Sequence, residues 1–166
     1  MSRSVDFSVE SSATVEQIRW AFAERDYWLA RLEEFGGGRL DSLVVDPDGT
    51  VTVVVVYELG SDGLPGLVAK FHPLDWQVVQ TERWSPVDGG LVRGEVRQEA
   101  RGAPGSGLGM VLLTPAKKGS RLKCEATVEF RIPLVGGKIE SLMCRQLAEQ
   151  TSVIQRFTAE WIAQHA

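Results

Sequence analysis

The sequence is poor in the residues from which metal centres, disulfide frameworks and catalytic triads are built. It contains two cysteines and two histidines among 166 residues. Cys124 and Cys144 form no Cys-x-x-Cys motif, and neither His72 nor His165 has an acidic or cysteine partner at a motif spacing. We therefore expect no metal site, no cofactor and no catalytic residues. Both cysteines fall on apolar faces and are predicted to be buried free thiols.

Long apolar runs and positive charge are also scarce. No stretch approaches the roughly 18 consecutive apolar residues of a membrane span, and the N-terminal MSRSVDFSVE has no apolar core of signal-peptide length. The chain carries 18 Lys and Arg against 22 Asp and Glu, which gives a net charge of −4. Because phosphate binding depends on clustered basic residues, this balance argues against a nucleic-acid partner. These features predict a cytoplasmic protein without a transmembrane segment.

The length and composition of the chain are typical of one globular domain. Of its 166 residues, 43% are hydrophobic and 24% are charged. A domain of this size buries roughly 70% of the surface of its unfolded chain, so it needs no disulfide or metal ion to fold. We find no internal repeat, linker or low-complexity segment, and we predict a single domain over residues 1–166.

The N-terminal part of the chain predicts a short strand followed by two short helices. Apolar and polar residues alternate over residues 5–9, which is typical of a strand. Thr14 and Gln17 have the spacing of a capping box, so a helix is expected to begin near residue 14. The helical period ends at three glycines, residues 36–38. We place a break between the two helices near residues 25–26.

Six further strands, joined by short turns, are predicted between residues 40 and 132. The residues DPDG at 46–49 give the strongest hairpin signal. Short connections imply antiparallel neighbours. Residues 64–71, LPGLVAKF, could add a turn or two of helix in a loop. The predicted strands are residues 40–46, 50–59, 76–84, 91–100, 108–114 and 121–132.

The last predicted strand passes abruptly into a long helix. Pro133 ends the alternation of residues 121–132, and Gly136 and Gly137 allow the chain to reverse. From about 137 to 164, apolar residues recur at i+3 and i+4. Strand and helix would each be roughly 40 Å long, so one can lie along the other. The apolar stripe of the helix must be buried against the sheet, which predicts an α+β fold.

This order of elements resembles the helix-grip fold of the START-like superfamily (SRPBCC), to which birch-pollen-allergen-like proteins belong. The resemblance rests on ATVEQIRWAF near the N-terminus, LPGLVAKF before TERW, and FRIPLVGGKIE where the last helix opens. It covers nearly the whole chain and is closest to a bacterial family of unknown function. It implies a curved antiparallel sheet of about seven strands wrapped around the long C-terminal helix. It also implies a cavity between them for a hydrophobic, lipid-like or polyketide-like molecule.

Alternate strand positions and the apolar stripe of the last helix supply the predicted ligand-binding residues. Gln80, Glu82 and Gln98 stand out because a polar side chain on a buried face costs free energy unless it is hydrogen-bonded. They would contact a ligand's polar head or ordered water, or else reach solvent near the sheet edge. The large side chains would either line a pocket or fill a packed core. The predicted residues are Tyr57, Trp76, Gln80, Glu82, Trp84, Gln98, Met110, Leu112, Phe130, Met143, Leu147, Ile154 and Phe157.

Three functions are compatible with this pattern. The first is non-catalytic binding or transport of a hydrophobic small molecule, favoured by the shortage of catalytic groups. The second is an enzyme of cyclase or hydrolase type, for which Glu82 with Tyr57 or His72 offers an acid–base pair. The third is a protein-interaction module with a filled cavity and an exposed apolar patch. The sequence is compatible with a monomer or a dimer.

Overall fold

A computed structural model describes residues 2–59, 76–102 and 104–166 of the chain. The prediction of a helical turn at residues 64–71 and the residue His72 lie outside this part. The helices and strands, in chain order, are β1 Ser2–Ser11, α1 Val15–Phe22, α2 Arg25–Phe35, β2 Gly38–Val45, β3 Val51–Leu59, β4 Trp76–Trp84, β5 Val92–Arg101, β6 Gly105–Ala116, β7 Gly119–Phe130 and α3 Gly136–His165.

The strands within the described residues form one curved antiparallel sheet. It has seven strands in the order β1-β7-β6-β5-β4-β3-β2. Helix α3 packs against β1 and β7, and α1 and α2 pack against α3. This is the predicted α+β fold, with two short helices after the first strand and a long C-terminal helix. In the described part of the chain, no helix is long and apolar enough to cross a membrane.

The predicted beginning and end of the two short helices are confirmed. At the start of α1, the Gln17 amide N–H donates to Thr14 Oγ1 over 3.1 Å, and the Thr14 N–H donates to Gln17 Oε1 over 2.9 Å. Helix α2 ends at Phe35 and is followed by Gly36 at φ 70°. A positive φ is easy for glycine and strained for other residues, which explains the position of the stop.

The reversal between β7 and α3 is completed within five residues. The Gly136 N–H donates to the carbonyl oxygen of Ile132 over 2.9 Å. Glu140, one turn into the helix, accepts a hydrogen bond from the Phe130 N–H over 2.9 Å. A Cβ atom on Gly136 would overlap the carbonyl oxygen of Phe130, so only glycine fits there. The end of the strand and the start of the helix are therefore locked together by backbone contact.

Replacing Gly136 with alanine is expected to destabilise the protein by about 1–3 kcal/mol, because the added methyl group is forced against backbone atoms. Gly137→Ala is the matched control, since a Cβ atom at Gly137 has nothing within 4 Å. Alanine favours a helix over glycine by about 1 kcal/mol, so the control should be neutral or stabilising. Urea unfolding of both variants measures the difference. Equal stabilities would show that the close contact at Gly136 does not constrain the reversal.

Candidate ligand-binding cavity

A cavity of about 340 Å³ lies between the sheet and helix α3. Its walls are formed by α2, by strands β3 to β7 and by one face of α3. Pockets that hold drug-sized ligands measure about 300–1,000 Å³, so this one is at the small end of that range. We call the side of the sheet that faces this cavity the inner face.

Small residues on β6 and β7 create the space. Gly107 and Gly109 occupy inner-face positions of β6, and Ala126 of β7 lies directly beside Gly109. Because glycine has no side chain, this part of the sheet is left uncovered. Strand β6 begins at Gly105, earlier than the predicted start at residue 108. The segment 105–110, GSGLGM, already carried the signal, since its glycines recur with the period of two that is typical of a strand.

A chain of polar side chains crosses the wall made by β4 and β5. The side-chain amide of Gln98 donates to Gln80 Oε1 over 2.6 Å, and the Gln80 amide donates to Glu82 Oε2 over 2.6 Å. The Trp84 indole N–H donates to Glu82 Oε1 over 3.1 Å. Gln80 and Glu82 are 7% and 2% exposed. Of the two alternatives, these two residues therefore do not reach solvent at the sheet edge, and their polar groups hydrogen-bond with one another.

Helix α2 supplies the cation that balances the buried carboxylate. Arg31 Nη2 lies 3.5 Å from Glu82 Oε2, and the two side chains are 12% and 3% exposed. The guanidinium also stacks over the Trp28 ring, with 4.8 Å from Cζ to the ring centroid. Burial alone would lower the pKa of Arg31, but the carboxylate of Glu82 opposes this and the pKa is raised. The neighbours of Glu82 described here are all hydrogen-bond donors, and both of its oxygens accept from them.

Helix α3 brings a polar side chain of a different kind to the cavity. Gln155 is 3% exposed and lies in the cavity wall. Within the described residues, its amide nitrogen Nε2 is buried without a hydrogen-bond partner. Sequence reasoning missed this residue because glutamine is mostly a surface residue. The available signal was its spacing, since Leu147, Thr151 and Gln155 follow one another at i+4 on one face of the helix.

Cys124 adds an unreactive thiol to the inner face. Both cysteines are free and buried, as predicted. Burial, with a smaller contribution from the charge of Glu125, raises the pKa of Cys124 to about 11. Burial also raises the pKa of Cys144. The Cys124 thiol therefore stays protonated at neutral pH and contributes to the wall as a small apolar group.

Several of the predicted ligand-binding residues lie in the cavity wall, and their contact with a ligand stays a prediction. Phe130 and Met143 instead pack with Ile132 and Ile139 in a separate cluster near the start of α3. Phe157 lies edge-on against Phe35, which does line the cavity, with 5.6 Å between ring centroids. The Trp76 side chain is outside the described residues. The predicted residues found in the wall are Tyr57, Gln80, Glu82, Trp84, Gln98, Leu147 and Ile154.

The prediction that Met110 and Leu112 line the cavity is wrong. The register places Val111 beside Cys124 on the inner face, so Met110 and Leu112, on either side of Val111, lie on the outer face. Met110 is accordingly 50% exposed. The sequence was ambiguous here because residues 110–113, MVLL, are apolar on both faces. Only the register with β7 decides which face is buried.

Comparison with known proteins identifies relatives by sequence. The profile of a family described as "Protein of unknown function (DUF2505)" matches residues 6–162. Uncharacterized proteins of Mycobacterium tuberculosis and Mycobacterium bovis are each 38% identical to this chain over 170 residues. Each match covers 98% of this chain and 98% of the relative, so the similarity extends over nearly the full length of both.

Solved structures are similar in fold. The crystal structure of Ara h 8.0201 matches with a TM-score of 0.61 at 9% identity, covering 99% of this chain and 100% of that one. A START superfamily protein from Mycobacterium smegmatis matches with a TM-score of 0.52 at 11% identity, covering 99% of both chains. At such low identities the likeness concerns the fold alone. That fold is the helix-grip fold of START-like proteins, as the resemblance implied.

Proposed function

Because this chain belongs to the family of proteins of unknown function DUF2505, we propose its function from the cavity itself. The protein binds or transports a small hydrophobic molecule between the inner face of the sheet and α3, without changing it chemically. The observation that carries this proposal is the cavity of about 340 Å³, which exists because Gly107 and Gly109 leave the inner face of β6 uncovered. A pocket with mainly apolar walls and a few polar groups is typical of ligand binding.

The size of the cavity narrows the ligand class. At about 340 Å³ it suits a compact fused-ring or single-chain molecule. A lipid with two long acyl chains would exceed the space between the sheet and α3. A lipid-like or polyketide-like compound of modest size therefore fits best. The same volume disfavours a protein-interaction module of this fold, since such a module would have its cavity filled by side chains.

The contacts of Glu82 disfavour an enzyme. A general acid or base needs a free position from which to reach a substrate. Glu82 instead accepts hydrogen bonds from Gln80 and Trp84 and is paired with Arg31. The partner suggested for it, Tyr57, has its pKa raised by burial, so its hydroxyl does not ionise at neutral pH to serve as the base of such a pair. These groups stabilise the wall of the cavity. Non-catalytic binding therefore accounts for their contacts better than an enzymatic reaction in the cavity does.

Native mass spectrometry of the freshly purified protein, with an organic extract analysed in parallel, tests this function. We expect a defined additional mass that is lost on denaturation, or uptake of a compound from a panel of fatty acids, sterols and aromatic polyketides. Compact compounds of the panel should bind, and a diacyl phospholipid added for comparison should not. An unmodified mass that no panel compound changes would contradict the proposal.

A further inference from the structure

We propose that the ligand carries a neutral oxygen acceptor, such as a ketone, ester or amide carbonyl, and that Gln155 of α3 donates a hydrogen bond to it. This inference rests on the proposed function and specifies the polar group of the ligand. The site is the helix wall of the cavity, across from the Gln98–Gln80–Glu82 chain on the sheet.

The first argument is that Gln155 is buried with an unused donor. Its side chain is 3% exposed in the cavity wall, and Nε2 has no hydrogen-bond partner in the part of the chain that the structure describes. A buried donor without an acceptor is costly, and native proteins retain few of them. Nearby on α3, buried Thr158 is satisfied by Tyr27 at 2.6 Å and by the Ile154 carbonyl at 2.8 Å. Among the described residues of α3, the two buried side-chain polar atoms without a partner are Gln155 Nε2, a donor in the cavity wall, and Glu140 Oε1, an acceptor outside it.

The second argument is that the charge of the opposite wall is already balanced. Among the described residues that line the cavity, Arg31 is the cation and Glu82 the anion, and they are paired at 3.5 Å. The Gln98 and Gln80 amides each already donate one hydrogen bond along the chain that ends on Glu82. A ligand carboxylate would therefore be desolvated without a counter-ion, which is unfavourable. The polar group of the ligand is neutral.

The third argument concerns the rest of the ligand. Apart from its polar residues, the wall of the cavity is made of aliphatic and aromatic side chains and the uncovered glycines, including Leu147, Ile154, Val96 and Val128. Such a surface binds hydrocarbon, but its contacts are non-directional and do not fix the orientation of the ligand. One donor on α3 would fix the orientation of an otherwise apolar molecule. The ligand is thus a hydrocarbon body with an oxygen acceptor at the point where it meets α3.

Three naphthalene probes of similar size separate these features. They are 2-acetylnaphthalene, which has a carbonyl, 2-isopropylnaphthalene, in which a methyl group replaces the oxygen, and 2-naphthoate, which is charged. Calorimetric titration of the wild-type protein should show the ketone binding roughly 2- to 12-fold more tightly than the hydrocarbon, the range of one net hydrogen bond. The carboxylate should bind more weakly than the ketone.

Removal of the donor tests the role of Gln155 directly. In Gln155→Leu the ratio of ketone to hydrocarbon affinity should fall to about one or below, because the buried partner is gone. Gln146→Leu, at an exposed position of the same helix, is the matched control and should keep the wild-type ratio. Circular dichroism and the thermal midpoint verify folding. Gln155→Met serves the same purpose if the leucine variant does not fold.

The outcomes distinguish this inference from the proposed function. Equal binding of ketone and hydrocarbon by the wild type, or an unchanged ketone preference in Gln155→Leu, would overturn the inference while hydrophobic binding stands. Tighter binding of 2-naphthoate would also overturn it. If no probe binds but mass spectrometry detects a natural ligand, a ligand without any neutral oxygen acceptor would contradict the inference. No binding of any probe, together with an unmodified mass, would remove the proposed function and the inference with it.

Discussion

Replacing Arg31 with methionine is expected to lower the free energy of unfolding by about 3–5 kcal/mol, the usual effect of removing one partner from a buried ion pair. The reason is that Glu82, 2% exposed, would keep its carboxylate in the core without a cation. The hydrogen bonds from Gln80 and Trp84 would remain but cannot neutralise the charge. Urea unfolding of the purified variant measures the loss.

Two further variants isolate the cause of that loss. In the double variant Arg31→Met/Glu82→Gln no charge is left buried, and the side-chain oxygen at position 82 can still accept a hydrogen bond from Gln80 or Trp84. Much of the stability should therefore return. Arg39→Met is the control, because it breaks an exposed ion pair: the side chains of Arg39 and Asp41 are 59% and 53% exposed. Its loss should lower the free energy of unfolding by less than about 1 kcal/mol. If Arg31→Met lowers the free energy of unfolding no more than Arg39→Met does, the buried ion pair is not required for stability and this prediction is wrong.

The fold was predictable because local signals agree with the global arrangement. The capping box at Thr14, the glycines after Phe35 and the Asp46–Gly49 turn each mark a boundary by local backbone chemistry. The strand-to-helix reversal was equally readable, since Gly136 is required by a contact only a few residues away in sequence. Signals of this kind depend on neighbours along the chain, which a single sequence does provide.

The cavity was only partly predictable because its geometry depends on distant pairings. Alternation along β4 correctly placed Gln80 and Glu82 on a buried face. Nothing in the sequence indicated that Arg31 would be buried and paired with Glu82, since a charged residue on a short helix is usually exposed. Met110 was assigned to the wrong face because a segment that is apolar on both sides needs its partner strand to fix the register. Residues that are unusual for their position, such as a buried arginine, are therefore informative only once the contacts are known.

Filling the cavity from β6 should abolish ligand binding without unfolding the protein. In Gly109→Leu the new Cβ atom would meet Cys124 Sγ at 3.5 Å and Val96 Cβ at 3.9 Å, which is ordinary van der Waals contact. The rest of the side chain would extend over the uncovered inner face into the space of about 340 Å³. One methylene in an apolar pocket changes affinity by about 10- to 200-fold, so four carbons should weaken 2-acetylnaphthalene by more than about 100-fold.

The stability of the same variant separates occlusion from misfolding. Leucine buries apolar surface and favours a strand over glycine, so the free energy of unfolding of Gly109→Leu should be unchanged or higher. Ser106→Leu adds the same side chain to an exposed position of β6 and should bind 2-acetylnaphthalene like the wild type. If Gly109→Leu folds and still binds, the probe occupies some other surface. Loss of binding in Gly109→Leu alone would locate the ligand over the glycines of β6, the feature that distinguishes this cavity from a packed core.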